Sequence, residues 1–365
     1  MSPLNRDGTR DSKGRSVAAV GKVWIAAGGT GGHIFPALAF GRWILERKKA
    51  DQVVYFSGNR PLEAEIYASQ GVVPYRLPLA GSPLGSSSLT GRIGRWAGLL
   101  GSFFRVGRVV ERERPDACFL FGGYVSLSPL LWCYFLGIPT VVHEQNARAG
   151  KVTRLAARLG ARVASGWVEC QGVSAFVPVG IPIRPMKAIP REEAAATLGV
   201  NAGDFVIGVV GGSLSSASLA SLAGQIGASG KASLVIVLGP PPDAAPVSFD
   251  PMVRFVGRRW DMTPFYSLCD AVVCRAGAST LAELAALGIP ALVVPWKKAA
   301  DGHQEANARC FAALTGNSVW DEDDRPALNA ALSRLLKRSR VRAAVDKEDS
   351  PNEALWRQGT RFSAQ

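Results

Sequence analysis

A glycine-rich loop between a strand-like and a helix-like segment is the feature that most constrains the fold of this chain. The loop, Gly28–His33, contains four glycines, follows the apolar run Val23–Ala27 and precedes a helix-like segment that starts near Pro36. A helix that begins at such a loop directs backbone N–H groups and the positive end of its dipole at an anion. The loop is not a Walker A loop and does not fit G-x-G-x-x-G. It predicts an anion site in an α/β fold, with His33 as a titratable group at its mouth.

The formal net charge of +13 over 365 residues favours an anionic partner. The sequence has no dense basic helix, zinc-ligand array or interleaved aromatic motif, so nucleic acid is not expected, and anionic ligands and lipid headgroups remain. The six cysteines form no C-x-x-C pair and are predicted to be reduced, mostly buried thiols of a cytosolic protein. No metal site and no cofactor are expected.

Strand-like and helix-like runs alternate along the chain and restart after a proline-rich hinge at 177–185. The second half opens with its own strand and glycine turn at 209–213, which echoes the first loop. This pattern predicts two Rossmann-like parallel-sheet domains that face each other across a cleft, where the carboxyl ends of the strands meet. The expected divisions are a disordered basic extension (1–22), a first domain (23–180), a second domain (181–345) and a C-terminal helix or tail (346–365).

Two segments bear on the membrane. The apolar region 124–142 is divided by Pro129, Gly137 and Pro139 into a helix of about a dozen residues and a strand, which is too short to span a bilayer. The stretch Arg92–Arg114 alternates bulky apolar residues with arginines. It predicts an amphipathic helix, part of which packs on the sheet, and a surface suited to an anionic membrane.

Several short motifs, in order over residues 23 to 310, resemble the MurG-type N-acetylglucosaminyltransferases of peptidoglycan synthesis. They are Gly28–His33, Gly122–Ser126, His143–Asn146, Gly211–Ser213, Cys274–Glu283, Asp301–Gln304 and Asn307–Ala308. The resemblance implies the two-domain GT-B fold, with the C-terminal helix or tail packed back on the first domain, which binds the acceptor and the membrane. It also implies an inverting transfer of GlcNAc from UDP-GlcNAc to the 4-hydroxyl of lipid I, undecaprenyl-diphosphoryl-MurNAc-peptide. The products would be lipid II and UDP, formed by a peripheral protein at the cytoplasmic face of the cell membrane, with cell-wall synthesis proteins as candidate partners.

By the same resemblance, the second domain holds most of the donor. Glu283 would hydrogen-bond the ribose hydroxyls, Gln304 would read the GlcNAc hydroxyls, and Arg184 would lie near the nucleotide. The residues expected to bind UDP-GlcNAc are Thr30, Gly31, Gly32, Asn146, Arg184, Gly212, Ser213, Ala278, Ser279, Thr280, Glu283 and Gln304.

The first domain is expected to supply the catalytic groups and the acceptor site. His33 is the candidate general base, and Glu144, at the end of a strand, is expected to point into the same cleft. His143 is expected to be a buried core histidine. The residues expected to bind the acceptor and its diphosphate are Gly29, Thr30, Gly31, Gly32, Tyr124, Gln145 and Asn146.

Two local departures from the family pattern leave alternatives open. The donor loop continues into Leu214 where the family has Gln-Gly-Ala, and Ile181 replaces a polar hinge residue. The stretch from Ser213 to Cys274 is also shorter than is usual in the family. The alternatives are a GT-B transferase with a different lipid acceptor and a weakly active, lipid-diphosphate-binding scaffold.

Overall fold

The computed structural model describes residues 20–79, 81, 89–211, 217–239, 252–297, 299, 302–340 and 350–360. Within these ranges the chain forms two parallel sheets with helices on both faces. The first contains β1 (Val20–Ala26), β2 (Ala50–Ser57), β3 (Tyr75–Arg76), β4 (Ala117–Leu120), β5 (Thr140–Glu144), β6 (Arg162–Ser165) and β7 (Val177–Pro178). The second contains β8 (Val206–Val210), β9 (Leu234–Leu238), β10 (Val253–Phe255), β11 (Ala271–Cys274), β12 (Ala291–Val293) and β13 (Ser318–Val319).

The helices alternate with these strands, as the sequence predicts. They are α1 (Gly31–Glu46), α2 (Pro61–Ser69), α3 (Leu89–Glu113), α4 (Leu127–Phe135), α5 (Lys151–Arg158), α6 (Arg191–Leu198), α7 (Ala217–Ala228), α8 (Thr263–Leu268), α9 (Ala278–Leu287), α10 (His303–Thr315), α11 (Leu328–Leu336) and α12 (Pro351–Thr360).

The strand orders confirm the two predicted Rossmann-like sheets. They are β3-β2-β1-β4-β5-β6-β7 and β10-β9-β8-β11-β12-β13, and every strand pairs in parallel with its neighbours. In each sheet the order reverses beside the first strand, between β1 and β4 and between β8 and β11. A crevice opens at the carboxyl ends of the strands at such a point, which is where α/β sheets bind ligands.

Three local predictions need correction, and the sequence pattern does not predict strand β13. Helix α1 begins at Gly31, five residues before Pro36, because the loop glycines themselves form its first turn. The predicted hinge contains a short strand, β7, which pairs with β6. Strand β13 has too few residues to leave a sequence pattern. Helix α4 has nine residues and not about a dozen, since the residues that precede it form a 3-10 turn.

Helix α12 packs on the first sheet, against β4, β5 and β6, although it follows the second domain in the chain. Its Leu355 and Trp356 side chains are buried, and the Trp356 ring stacks on Phe119 with the ring centroids 6.0 Å apart. A Cβ atom at Gly359 would lie 2.4 Å from the Phe119 ring, so only glycine permits this approach. The first domain is thus built from both ends of the described chain.

A hydrophobic cluster around the second sheet explains one departure from the family pattern, the apolar residue at position 181. Ile181 is buried and packs with Ala147 and Trp167 in a hydrophobic cluster that extends into the second sheet. Burial of an apolar side chain at such a position stabilises the fold, whereas an unpaired polar one would not.

All six cysteines are free and buried, which confirms the predicted reduced thiols.

Candidate active site

A cavity of about 730 Å³ lies between the two domains, at the carboxyl ends of both sheets. Its lining residues follow strands β1 and β5 of the first sheet and β8, β11 and β12 of the second. The predicted site residues that line it are Thr30, Gly31, Gly32, His33, Gln145, Asn146, Arg184, Ala278, Ser279, Thr280, Glu283 and Gln304. Gly212 and Ser213 lie outside the described residues.

Two helices begin at this cavity, one from each domain: α1 at Gly31 and α9 at Ala278. Their N-cap residues, Thr30 and Gly277, make no side-chain cap hydrogen bond in the described structure, and neither first turn carries an acidic side chain. Backbone N–H groups at both helix ends therefore remain for a ligand, with the positive ends of the two dipoles behind them. This arrangement suits a diphosphate.

A hydrogen bond joins the two helix ends across the domain boundary. Ser279 Oγ donates to the Gly32 carbonyl oxygen at 2.9 Å. In an uninterrupted helix this carbonyl would accept the N–H of the residue four positions later, but that residue is Pro36, which has no N–H. The proline inside α1 thus leaves one backbone acceptor for the second domain.

Gly29 does not line the cavity, and its N–H group is paired with a carboxylate of the same domain. It donates to Glu63 Oε1 at 2.9 Å, and the other carboxylate oxygen of Glu63 accepts the Gly58 N–H at 2.6 Å. Burial raises the pKa of Glu63, although these two donors favour its charged form. Gly29 therefore shapes the loop and does not offer its N–H to a ligand. Sequence reasoning missed Glu63, whose only signal is an acid in the first turn of α2.

His33 faces the cavity and belongs to a chain of side-chain hydrogen bonds. Its Nδ1 lies 2.7 Å from Gln145 Oε1, and Gln145 Nε2 lies 3.0 Å from His143 Nδ1. His143 is 1% exposed, as expected of a core histidine, and its Nε2 lies 2.8 Å from the Gly180 carbonyl oxygen. Burial lowers the pKa of His143 to about 4, against the opposing effects of Gly180 and the Glu144 carboxylate.

Glu144 is buried and does not line the cavity, so the expectation that it points into the cleft is corrected. Its Oε1 accepts the backbone and side-chain N–H groups of Asn146, at 3.0 and 3.1 Å. Its Oε2 accepts the Gly150 N–H at 2.9 Å and the Thr153 hydroxyl at 2.5 Å. The buried carboxylate is thus satisfied by four donors from the loop after β5 and the first turn of α5, and Glu144 orders the loop that carries Asn146.

Asn146 lines the cavity where the two domains meet. Its Oδ1 accepts from Asn307 Nδ2 of helix α10 at 3.0 Å, and Asn307 Oδ1 accepts the Ala147 N–H at 2.8 Å. Asn307 is fully buried and also donates to the Ala276 carbonyl oxygen. Two amide side chains therefore join β5 of the first sheet to α10 of the second domain.

Glu283 lies one turn into α9 and is buried at the cavity wall. Its Oε1 accepts from Arg184 Nε at 3.0 Å, and its Oε2 accepts from the Tyr266 hydroxyl at 2.8 Å. Burial and the Glu283 carboxylate both raise the pKa of Tyr266, so this hydroxyl stays a donor. A carboxylate oxygen can accept more than one hydrogen bond, so Glu283 retains acceptor capacity for a ligand hydroxyl.

Arg184 also contacts both domains. Its guanidinium lies over the Phe35 ring of α1, 4.2 Å from the ring centroid, and donates to the Trp260 carbonyl oxygen. The Phe35 and Trp260 rings lie 6.1 Å apart and add an aromatic side to the cavity. Sequence reasoning missed Phe35, Trp260 and Tyr266, because nothing in their local sequence indicates a shared wall.

Gln304 lies in the first turn of α10 with its amide orientation determined by the backbone. Its Oε1 accepts the N–H groups of Trp296 at 2.9 Å and Ala276 at 3.3 Å. The amide nitrogen is therefore the group that Gln304 offers to a ligand in the cavity, as a donor.

Tyr124 begins a short 3-10 helix and does not line the cavity. Gly122 and Gly123 before it have φ angles of +92° and +76°. A Cβ at Gly123 would lie 2.7 Å from the Gly28 carbonyl oxygen, so these glycines let the two loops of the first domain pack together. Tyr124 stays a predicted acceptor contact.

No group of three or more metal-ligating side chains occurs within the described ranges. Two neighbouring aspartates, Asp321 and Asp323, form ion pairs with Lys297, whose Nζ lies 2.7 Å from a carboxylate oxygen of each.

Comparisons with known proteins agree with this geometry. Residues 23–165 match the glycosyltransferase family 28 N-terminal domain, and residues 206–355 match the corresponding C-terminal domain. A protein of Desulforudis audaxviator (strain MP104C), named UDP-N-acetylglucosamine--N-acetylmuramyl-(pentapeptide) pyrophosphoryl-undecaprenol N-acetylglucosamine transferase, is 32% identical over 93% of this chain and 100% of its own length. The chain belongs to the MurG-type transferase family.

One further relative has the same name, and one solved structure has the same fold. A protein of Halorhodospira halophila (strain DSM 244 / SL1) with the same name is 33% identical over 87% of this chain and 90% of its own length. The crystal structure of Acinetobacter baumannii MurG superposes with a TM-score of 0.62, at 24% identity, over 94% of this chain and 96% of that one. This similarity supports the GT-B arrangement of the two domains.

Proposed function

We propose that this chain transfers GlcNAc from UDP-GlcNAc to the 4-hydroxyl of the MurNAc sugar in lipid I, which gives lipid II and UDP. The observation that carries the proposal is the cavity between two uncapped helix N-termini, with His33 on one wall and Glu283 on the other. The names of the relatives describe this transfer for those proteins. Inversion at the sugar carbon follows from a direct displacement by the acceptor oxygen.

The proposed reaction needs a proton acceptor, an aligned hydroxyl and stabilisation of the leaving diphosphate. The acceptor oxygen forms a bond to the sugar C1 while the bond from C1 to the UDP oxygen breaks, and the hydroxyl proton passes to His33. The helix N-termini of α1 and α9 would stabilise the negative charge that develops on the diphosphate. Glu283 would hold the ribose as an acceptor, and the Gln304 amide nitrogen would donate to a GlcNAc hydroxyl.

The test is transfer of labelled GlcNAc from UDP-GlcNAc to a short-chain lipid I analogue by the purified protein in detergent. We expect UDP release and labelled disaccharide product in equal amounts. UDP binding without transfer would favour a different lipid acceptor, and the absence of both would favour the scaffold alternative. Either outcome contradicts the proposed reaction.

We further propose that α3 and α4 form the surface by which the protein docks, as a peripheral protein, on the cytoplasmic face of the membrane. On α3, Ile93, Trp96, Leu100 and Phe104 share one helix face and are each between 53% and 60% exposed. The Phe135 side chain at the end of α4 is 64% exposed and lies beside Phe103 of α3, with ring centroids 6.5 Å apart. No helix of the described chain is both long and apolar enough to span a bilayer.

The positive charges on α3 support the same membrane-docking surface. The arginines at 92, 105 and 108 are exposed along α3, next to the apolar face. Exposed apolar side chains among arginines match an interface that buries apolar groups and attracts anionic headgroups. The opposite face of α3 packs inward, with Val106 and Val109 buried and Ser102 Oγ 2.6 Å from Ser128 Oγ of α4. Because the helix is anchored on that side, its apolar face stays presented to the surroundings.

The double substitution Leu100→Ser, Phe104→Ser is expected to lower binding to phosphatidylglycerol vesicles by about tenfold or more, since two bulky apolar groups no longer enter the bilayer. Vesicle sedimentation at fixed ionic strength measures the effect. Leu314→Ser, at a 68% exposed leucine on α10 of the second domain, is the matched control and should bind normally. Equal binding by the double variant and the wild-type protein would contradict the assignment.

A further inference from the structure

We propose that Gln145 is a positioning residue that holds His33 in the tautomer protonated at Nδ1, so that the Nε2 lone pair faces the acceptor hydroxyl. The inference rests on the proposed function, since it concerns how the general base is prepared. It assigns to Gln145 a task other than the acceptor contact expected from sequence. It also gives the buried His143 a part in the site.

The direction of the hydrogen-bond chain is determined at its far end by two backbone carbonyls, which can only accept. The Gly180 carbonyl lies 2.8 Å from His143 Nε2, so that nitrogen carries the proton. The His143 carbonyl lies 3.0 Å from Gln145 Nε2, so the amide nitrogen, and not the amide oxygen, occupies that side. The network thus assigns both the amide orientation and the histidine tautomers.

These two assignments determine the direction of the other two hydrogen bonds in the chain. His143 protonated at Nε2 has its lone pair on Nδ1, which accepts from Gln145 Nε2 at 3.0 Å. Gln145 Oε1 then faces His33 Nδ1 at 2.7 Å and can only accept, so His33 Nδ1 must donate. In a neutral imidazole this leaves the lone pair on Nε2. No described residue forms a hydrogen bond with His33 Nε2, and His33 lines the cavity.

His143 must stay neutral for this hydrogen-bond chain to form, and its surroundings favour the neutral form. The side chain is 1% exposed, and burial lowers its pKa to about 4. The Glu144 carboxylate and the Gly180 carbonyl act in the opposite direction, while His33 acts with burial. A protonated His143 would present a donor at Nδ1 to the Gln145 amide protons and break the chain.

The members of the chain are also held rigidly. The Gln145 side chain is buried, and the backbone carbonyl oxygen of Gln145 accepts from Trp167 Nε1 at 2.8 Å. The His33 ring lies against Gly122, where a Cβ would come within 3.1 Å of Nδ1 and Cε1. A close-packed ring with one fixed acceptor has one favourable orientation. Gln145 therefore acts through His33 and needs no contact with substrate.

The first test observes the tautomer directly. The chain has only three histidines, so a ¹⁵N-histidine-labelled sample gives at most three sets of ring signals, which His143→Asn and His303→Gln variants assign. At neutral pH without ligand, we expect the neutral form of His33 to show a protonated Nδ1 and an unprotonated Nε2. A neutral His33 protonated at Nε2 would overturn the inference, even if the protein transfers GlcNAc normally.

The second test is kinetic. Gln145→Met keeps the side-chain length but removes the acceptor. We expect kcat to fall about 10- to 100-fold, which is no more than the lower limit of the about 10²–10⁴-fold that a general base contributes, because His33 itself remains. The KM for UDP-GlcNAc should stay within about twofold, since the donor contacts are unchanged. His143→Asn should lose less, because its Oδ1 can still accept from Gln145 and the backbone carbonyl at 143 is unchanged.

Gln70→Met is the matched control. It makes the same substitution in the first domain, at a side chain whose described bonds go only to Ser69, and it should leave kcat unchanged. A normal kcat for Gln145→Met, or a rise in KM that accounts for its whole loss, would contradict the positioning role. Because the tautomer is read in the wild-type protein, failure of Gln145→Met to fold does not remove the first test. Absence of transfer by the wild-type protein would instead refute the proposed function.

Discussion

Replacing His33 with alanine is expected to lower kcat for GlcNAc transfer by about 10²–10⁴-fold, the range that a general base contributes. The side chain faces the cavity and is hydrogen-bonded only to Gln145 among the described residues. The proposed ribose and GlcNAc contacts, Glu283 and Gln304, lie in the other domain, so the KM for UDP-GlcNAc should change by less than about threefold. Steady-state kinetics with a soluble lipid I analogue measure both quantities.

Chemical rescue separates a lost base from a disturbed loop. Added imidazole can occupy the space that the alanine leaves and should restore part of the lost kcat. UDP binding, followed by calorimetry, should match that of the wild-type protein and thereby show that the helix end at Gly31 is intact. Near-normal turnover by His33→Ala would leave His33 a structural role and contradict its assignment as base.

Replacing Glu283 with alanine is expected to weaken UDP affinity by about 10- to 100-fold, because hydrogen bonds to a charged group contribute about 1.5–3 kcal/mol. The carboxylate is buried at the cavity wall and is the one acidic side chain of α9. Its loss also leaves Arg184 without its acidic partner, so the melting temperature should fall as well. Calorimetry and thermal unfolding measure the two effects.

A second ion pair in the same domain provides the control. Arg191 and Asp270 lie 2.9 Å apart, and neither lines the cavity. Asp270→Asn should lower the melting temperature while UDP binds as to the wild-type protein. If both variants weakened UDP binding equally, the effect of Glu283 would reflect general stability and not a ribose contact.

The sequence predicts the features of this fold that local pattern determines. Alternating strand-like and helix-like runs indicate parallel sheets, and Gly28–His33 marks the helix end that lies at the cavity. His33 and Glu283 stand at recognisable offsets from glycine turns, and both line the cavity. These inferences succeed because each depends on residues that are close together in the chain.

The errors concern side-chain partners that the local sequence pattern does not identify. Glu144 has the sequence context of a cleft carboxylate, yet four donors from Asn146, Gly150 and Thr153 satisfy it. Gly29 belongs to the anion loop, yet its N–H pairs with Glu63, thirty-four residues later. Phe35 and Trp260 meet only when the domains assemble. Pattern within one segment carries no information about such partners.

The position of α12 on the first sheet has a consequence for synthesis. A ribosome makes β1 to β7 first and then the whole second domain, before it reaches Pro351–Thr360. Domains generally begin to fold as they emerge. Until α12 is made, the Phe119 ring lacks the Trp356 ring that covers it, and the face of β4, β5 and β6 on which α12 packs is uncovered. The domain that starts the chain is therefore finished last, and a nascent chain stalled before residue 351 would present an unfinished apolar face to other proteins.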